Sequence, residues 1–175
     1  MEIYRKKVVP EEIQSITVGL TDVAYKNQQD FLGEITAREH ADHSVPYAVA
    51  RALLDGEVNV DDFDEKRFKE PRAVDLIKKV SLRPDPALSS PDQEAPGAKI
   101  EVLLRNGTVR KAEVPNPPGS IQNPAGEESL VKKFLALSEN ILGKDRAHRA
   151  TEVILSAEKL SGLGELLDAV ASRRG

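Results

Sequence analysis

The 175-residue chain has no cysteine and no tryptophan, and only three tyrosines and four phenylalanines. Without cysteine there are no disulfides, thiolate zinc sites, cysteine nucleophiles or cysteine-ligated iron–sulfur clusters. With aromatics at 4%, stacking platforms for bases or sugars are not expected. No apolar run approaches the roughly 18–20 residues needed to cross a bilayer. The charges of the segment Met1–Lys7 are not followed by an apolar stretch, so a secretory leader is not expected and a cytoplasmic location is. Charge of one sign is also lacking. Lys plus Arg number 25 against 29 Asp plus Glu, a net charge of −4. Without a basic stripe, neither nucleic acid nor a membrane is an expected partner.

What is present is an ordinary composition, 39% apolar and 31% charged, in a chain long enough for a sizeable core. Eight of the eleven prolines lie between Pro84 and Pro124. Within that stretch Asn106-Gly107 is a strong hairpin signal. Ile100, Val102 and Leu104 alternate before it, and Thr108, Val109 and Val114 follow. An antiparallel hairpin from about Lys99 to Val114 is expected, between the Pro-rich loops Pro84–Pro96 and Pro115–Pro124. Branched residues Ile13, Ile16 and Val18 suit a strand over Ile13–Leu20, and a short strand is expected at Val80–Leu82.

Helices are expected from Val45 to Leu54, from about Pro71 through Ile77, at Glu127–Leu142 and Asp145–Leu160, and around Leu163–Val170. Ser44 caps the first of these and Pro46 is tolerated in its first turn. Arg51 is its only charge, and Gly56 stands where a left-handed residue closes a helix. A helix apolar nearly all round is a buried one. One sheet would cover one side of it, so self-association into a homo-oligomer is expected. Strands and helices do not alternate strictly. The reading is therefore α+β, a two-layer sandwich of packed helices on an antiparallel sheet.

The densest polar constellation is Glu39-His40-Ala41-Asp42-His43-Ser44, directly before the buried helix, with two of the three histidines. Asp42 can orient an imidazole, and His43 can then act as acid or base near neutral pH. Free N–H groups at the helix start would favour an anion such as a carboxylate. The plainer reading is that Asp42 and Ser44 cap the helix and the histidines lie on the surface. His40 and His43 are three apart, but the capping pattern puts them ahead of the helix, where that spacing fixes no metal geometry; no metal site is expected. Tyr47 is either a core tyrosine with one hydrogen bond or a hydroxyl presented to a cleft. Gly162-Leu163-Gly164 reads as a turn between helices, Asp61–Glu65 as the start of a short helix, and Arg173-Arg174 as a charge pair past a helix end.

The run from Ala41 to Gly56, with Asp42-His43-Ser44-Val45-Pro46-Tyr47 at its head, resembles the signature of the MmgE/PrpD family. That family includes 2-methylcitrate dehydratase, cis-aconitate decarboxylase and iminodisuccinate epimerase. The resemblance continues in order. It takes in Pro10–Val18, the stretch from Phe63-Asp64 to Pro71, Ile77–Val80, Ile100–Gly107 and Pro115–Pro124. Pro46 departs from members that carry glutamine there.

What is similar is the family's smaller C-terminal, lid-like α+β domain. The resemblance implies one such domain over residues 1–175, a core to residue 125 and C-terminal helices from 126. It implies that the family's larger all-helical domain would be a separate polypeptide, and that the chain alone would be inactive. The implied function is that of a lid or substrate-binding part of a hydro-lyase, decarboxylase or isomerase acting on small di- or tricarboxylic acids. A small-carboxylate-binding or interaction module without catalysis is the alternative. The family works without a cofactor, so none is expected. Asp42, His43 and Tyr47 map to catalytic positions, with Ser44, Arg38 and Arg51 as expected substrate contacts.

Overall fold

The computed structural model describes residues 8–88 and 97–171. They form two compact units that divide between Asn123 and Pro124.

The first unit is built on a four-stranded sheet in the order β2-β1-β3-β4, with β1 at Ile13–Leu20, β2 at Val80–Pro84, β3 at Ala98–Leu104 and β4 at Val109–Val114. In β1, Ile13, Ile16, Val18 and Leu20 are all buried. Ile13 and Ile16 are an odd number apart and would point to opposite faces of a regular strand. A register shift between Ile13 and Ser15 removes the conflict. The extra residue of a bulge lets both isoleucines enter one core.

β3 runs antiparallel to both β1 and β4. The hairpin between β3 and β4 turns at Asn106-Gly107. The Gly107 N–H donates to Leu104 O at 2.9 Å, and Gly107 takes a φ of 81°, which glycine adopts without a Cβ penalty. Asn106 Oδ1 accepts from the Thr108 N–H at 2.9 Å. The sheet as a whole is mixed rather than antiparallel, because β2 lies parallel to β1. The chain between them is a crossover carrying several helices, and such a connection returns a strand in its original direction. The α+β class stands. Of the first Pro-rich loop, residues 89–96 lie outside the described residues, as do Arg173 and Arg174.

Five helices lie within that crossover: α1 (Asp22–Asn27), α2 (Arg38–His43), α3 (Val45–Asp55), α4 (Glu65–Phe68) and α5 (Pro71–Ile77). α3 forms as its sequence directs. Ser44 Oγ accepts from the Tyr47 N–H at 3.4 Å, Pro46 sits in the first turn, and Gly56 closes the helix at φ 86°. Ala50 and Leu53 of α3 and Leu76 of α5 pack on Ile16, Val18 and Val102 of the sheet. Tyr47 turns to a second cluster with Ile35, Ala41, Phe68 and Ala73. The unit's own sheet and loops thus cover α3 on both sides. The apolar character of this helix is used within the fold, so it does not supply the reason for self-association.

The second unit holds α6 (Glu127–Leu142), α7 (Lys144–Leu155) and α8 (Gly164–Val170). α7 packs against both neighbours, burying Ala147, Ala150 and Val153. Gly143, at φ 81°, separates α6 from α7. Among the described residues no helix is long and apolar enough to cross a membrane.

Candidate functional site

The segment Glu39–Ser44 is itself helical. α2 ends at His43, and Ser44 is at once its last residue's neighbour and the N-cap of α3. The two histidines are therefore on a helix, not ahead of one, and their spacing of three puts them on one face. That face meets Phe31. The ring of His43 stacks on Phe31 with centroids 5.0 Å apart and planes at 17°, and the ring of His40 tilts against it at 6.0 Å. Nothing in the local sequence marks this, because the partner ring comes from a different turn of the chain.

Gln28 fixes the joint between α2 and α3. Its side-chain amide donates to the His43 carbonyl at 3.0 Å and accepts from the Val45 N–H at 2.8 Å. One side chain satisfies a carbonyl at the end of one helix and an N–H at the start of the next, groups that neither helix can pair internally. Gln28 lies 15 residues before His43 and had no sequence signal.

His43 is held on one side only. Its Nδ1 is 2.8 Å from Glu39 O and also contacts Asp42 Oδ1. A carbonyl can only accept, so Nδ1 carries a proton. Nε2 is then the free nitrogen, an acceptor in the neutral ring and a donor in the imidazolium. The Glu39 carbonyl, followed by the Asp42 carboxylate, raises the pKa of His43 above its ordinary value. The side chains of His43 and Asp42 are 62% and 41% exposed, so the pair faces solvent. Asp42 does orient the imidazole.

Tyr47 and Arg51 point elsewhere. Tyr47 is completely buried; its hydroxyl donates to the Asp62 carbonyl and its ring tilts against Phe63 at 6.0 Å. Burial pushes its pKa up to about 12. Arg51 is also completely buried. Its guanidinium contacts Asp55 one turn on, donates to Glu70 Oε2 at 2.7 Å and lies 3.8 Å from Asp62 Oδ1. Arg67 joins the same carboxylates, with Asp62 at 2.9 Å, Asp55 at 2.8 Å and Glu70 at 3.3 Å. Two arginines and three carboxylates form a closed network. Asp62 also accepts from the Asn59 N–H at 2.7 Å. Its burial would raise its pKa, but that hydrogen bond and the two arginines hold it below the ordinary value.

The structure thus brings together Asp42 and His43, with the Ser44 hydroxyl committed to its cap. Arg38, 52% exposed and 3.5 Å from Asp64, lies one turn before Asp42. Tyr47 and Arg51 are on the far side of α3, engaged by the segment from Asn59 to Glu70. Their hydroxyl and guanidinium would reach a ligand only if that segment shifted. No cluster of His, Asp and Glu with metal-binding geometry occurs among the described residues.

A mixed sheet backed by helices, with an Asp-His pair at a helix joint inside the crossover from β1 to β2, defines an α+β domain. The chain belongs to the MmgE/PrpD family: the family's C-terminal domain matches residues 1–159. It is 30% identical over 139 residues to the mitochondrial 2-methylcitrate dehydratase of Yarrowia lipolytica. That match covers 76% of this chain and 26% of the relative, so the chain spans about a quarter of that protein's length.

Proposed function

We propose that this chain is the lid or substrate-binding part of an enzyme acting on small di- or tricarboxylic acids by dehydration, decarboxylation or isomerisation. The observation that carries this is the one-sided anchoring of His43. Nδ1 is tied to Glu39 O and Asp42, and Nε2 is presented to solvent. Elimination or isomerisation beside a carboxylate needs a positioned proton carrier and cations for the carboxylates. His43 serves as the first, and as imidazolium it also offers charge. Arg38 is the exposed cation nearest in sequence.

The site is an open surface, so its opposite wall must come from another polypeptide segment. The match covers only 26% of the Yarrowia relative, which leaves length there for such a segment. Without that wall, water is not excluded and the field of these groups is screened. Tyr47 and Arg51 take part where closure of the second segment shifts residues 59–70 and frees their polar groups.

The test is co-expression with a helical domain of the MmgE/PrpD type, followed by turnover assays on small di- and tricarboxylates. The isolated chain should turn over none of them. The reconstituted complex should, and His43→Ala should lower its rate by on the order of 10²–10⁴. Robust turnover by the isolated chain, or an unchanged rate in His43→Ala, sinks this reading. Carboxylate binding without turnover in the complex points instead to a non-catalytic binding module.

A further inference from the structure

α2 has little of its own to hold it. It is six residues long, and no side chain caps its start at Ala37. A helix this short does not persist on its own hydrogen bonds. His43 is its last residue, where a carbonyl has no partner inside the helix. A single extended residue, Ser44 at φ −85° and ψ 110°, separates it from α3. The angle of α2 against α3 is therefore set by whatever holds the peptide groups on either side of Ser44.

Gln28 holds both. Its amide donates to the His43 carbonyl and accepts from the Val45 N–H, so one planar group spans the joint. Gln28 is in turn tied to the sheet. Thr21 follows β1 directly and caps α1, its hydroxyl accepting from the Ala24 N–H at 3.2 Å. The Gln28 N–H donates to Ala24 O at 3.2 Å, and the Phe31 N–H donates to Gln28 O at 3.0 Å. The ring that stacks on His43 thus stands on the same short piece of chain as the amide that holds the His43 carbonyl.

The contact of Nδ1 with Glu39 O is internal to α2 and turns with it. Gln28 and Phe31 come from outside and orient α2 itself. We infer that Gln28 is a positioning residue for His43: it holds the last turn of α2 so that Nδ1 stays on Glu39 O and Nε2 is directed to one place on the surface. This rests on the proposed role of His43 as proton carrier. Gln28 touches no reacting atom, since both its bonds go to the main chain. A proton carrier must come within about 2.6–3.2 Å of the atom it serves, and misplacement by about 1 Å can cost about 10²-fold in rate. The side-chain type matters as well. An amide both donates and accepts, whereas a carboxylate could accept from Val45 but could not donate to the His43 carbonyl.

Nitrogen NMR of the full chain reads the ring directly. Above its midpoint, wild-type His43 should be the Nδ1–H tautomer. Gln28→Met keeps the length of the side chain and loses both bonds. With the fold intact by circular dichroism, its two tautomers should mix and the midpoint should fall toward about 6.5. Gln28→Glu keeps the Val45 bond alone and should show a tautomer mixture between those of the wild type and Gln28→Met. A folded Gln28→Met with the wild-type tautomer overturns the proposal; should it not fold, Gln28→Glu decides in the same way.

The complex reconstituted with a helical domain carries the second readout. There Gln28→Met should lower kcat by on the order of 10- to 10²-fold and leave KM nearly unchanged. An unchanged kcat, where His43→Ala does lower the rate, also overturns the proposal. If His43→Ala leaves the rate unchanged too, it is the proton-carrier reading that fails, while a shifted tautomer in Gln28→Met still shows that Gln28 positions the ring.

Discussion

Arg51 Nη1 donates to Glu70 Oε2 at 2.7 Å, from a side chain with no solvent exposure at all. This bond joins α3 to the start of α5 across the Val60–Phe68 segment. Arg51 is the hub of that network and Arg67 its rim, since Arg67 is 38% exposed.

The two arginines should therefore differ in weight. Arg51→Met removes a wholly buried guanidinium and its charged hydrogen bonds, while Asp55, Asp62 and Glu70 keep Arg67, and should cost about 2–3 kcal/mol. Arg67→Met, whose charge is part-solvated, should cost about 1 kcal/mol or less. Urea unfolding of both variants measures the difference. Equal losses would show that the network has no buried hub.

His43 should titrate above its ordinary pKa, because the Glu39 carbonyl and Asp42 favour the imidazolium. Asp42→Asn removes the second of these and should lower the pKa toward the ordinary value, without abolishing the shift. The sign for stability follows. A raised folded-state pKa contributes stability that is fully present below the unfolded value and is lost as pH rises through the folded one. NMR of the His43 ring against pH reads the midpoint. A midpoint at or below about 6.5 would contradict the anchored geometry.

Tyr47 should ionise near pH 12. The unfolded chain releases this proton near pH 10, so the native state holds one more proton between those values. Stability should fall as pH rises through that window. The difference between absorbance titrations of the wild type and Tyr47→Phe isolates the midpoint. Tyr47→Phe should also cost about 1 kcal/mol at neutral pH, since the buried Asp62 carbonyl loses its donor.

Gly56→Ala places a Cβ on a residue at φ 86°. The strain of a left-handed alanine is about 1 kcal/mol, which for a chain of this size lowers Tm by about 2–4 °C. Calorimetry checks it. No change would mean that the end of α3 relaxes at no cost.

Local order was legible where local forces set it. β1 spans Ile13–Leu20 as its branched residues indicate, and α6 spans Glu127–Leu142 as its apolar stripe indicates. Asn106-Gly107 turns the hairpin, Gly56 ends α3, and Ser44 caps it. In each case the residue type at that point limits the backbone to one choice. The short helix α2 escaped notice because its six residues carry no apolar repeat. It is fixed instead by Ala41 in the second cluster, Phe31 against its histidines and Gln28 at its end.

The sequence by itself determined the family, the α+β class and the proximity of Asp42 to His43, because adjacent residues need no fold to meet. Tertiary structure decided what their neighbours do. Arg51 and Asp55 are one helical turn apart, and that pair could be read from spacing. Glu70, Asp62 and Arg67 reach the same network from 11 to 19 residues away, and only packing brings them there. The direction of β2 was also a tertiary matter. A five-residue strand pairs equally well either way on local grounds, and the crossover that leads into it is what made it parallel. Burial then set the chemistry. Tyr47 and His43 lie one helical turn apart in the chain, yet packing gave one a closed hydroxyl and the other an open ring nitrogen.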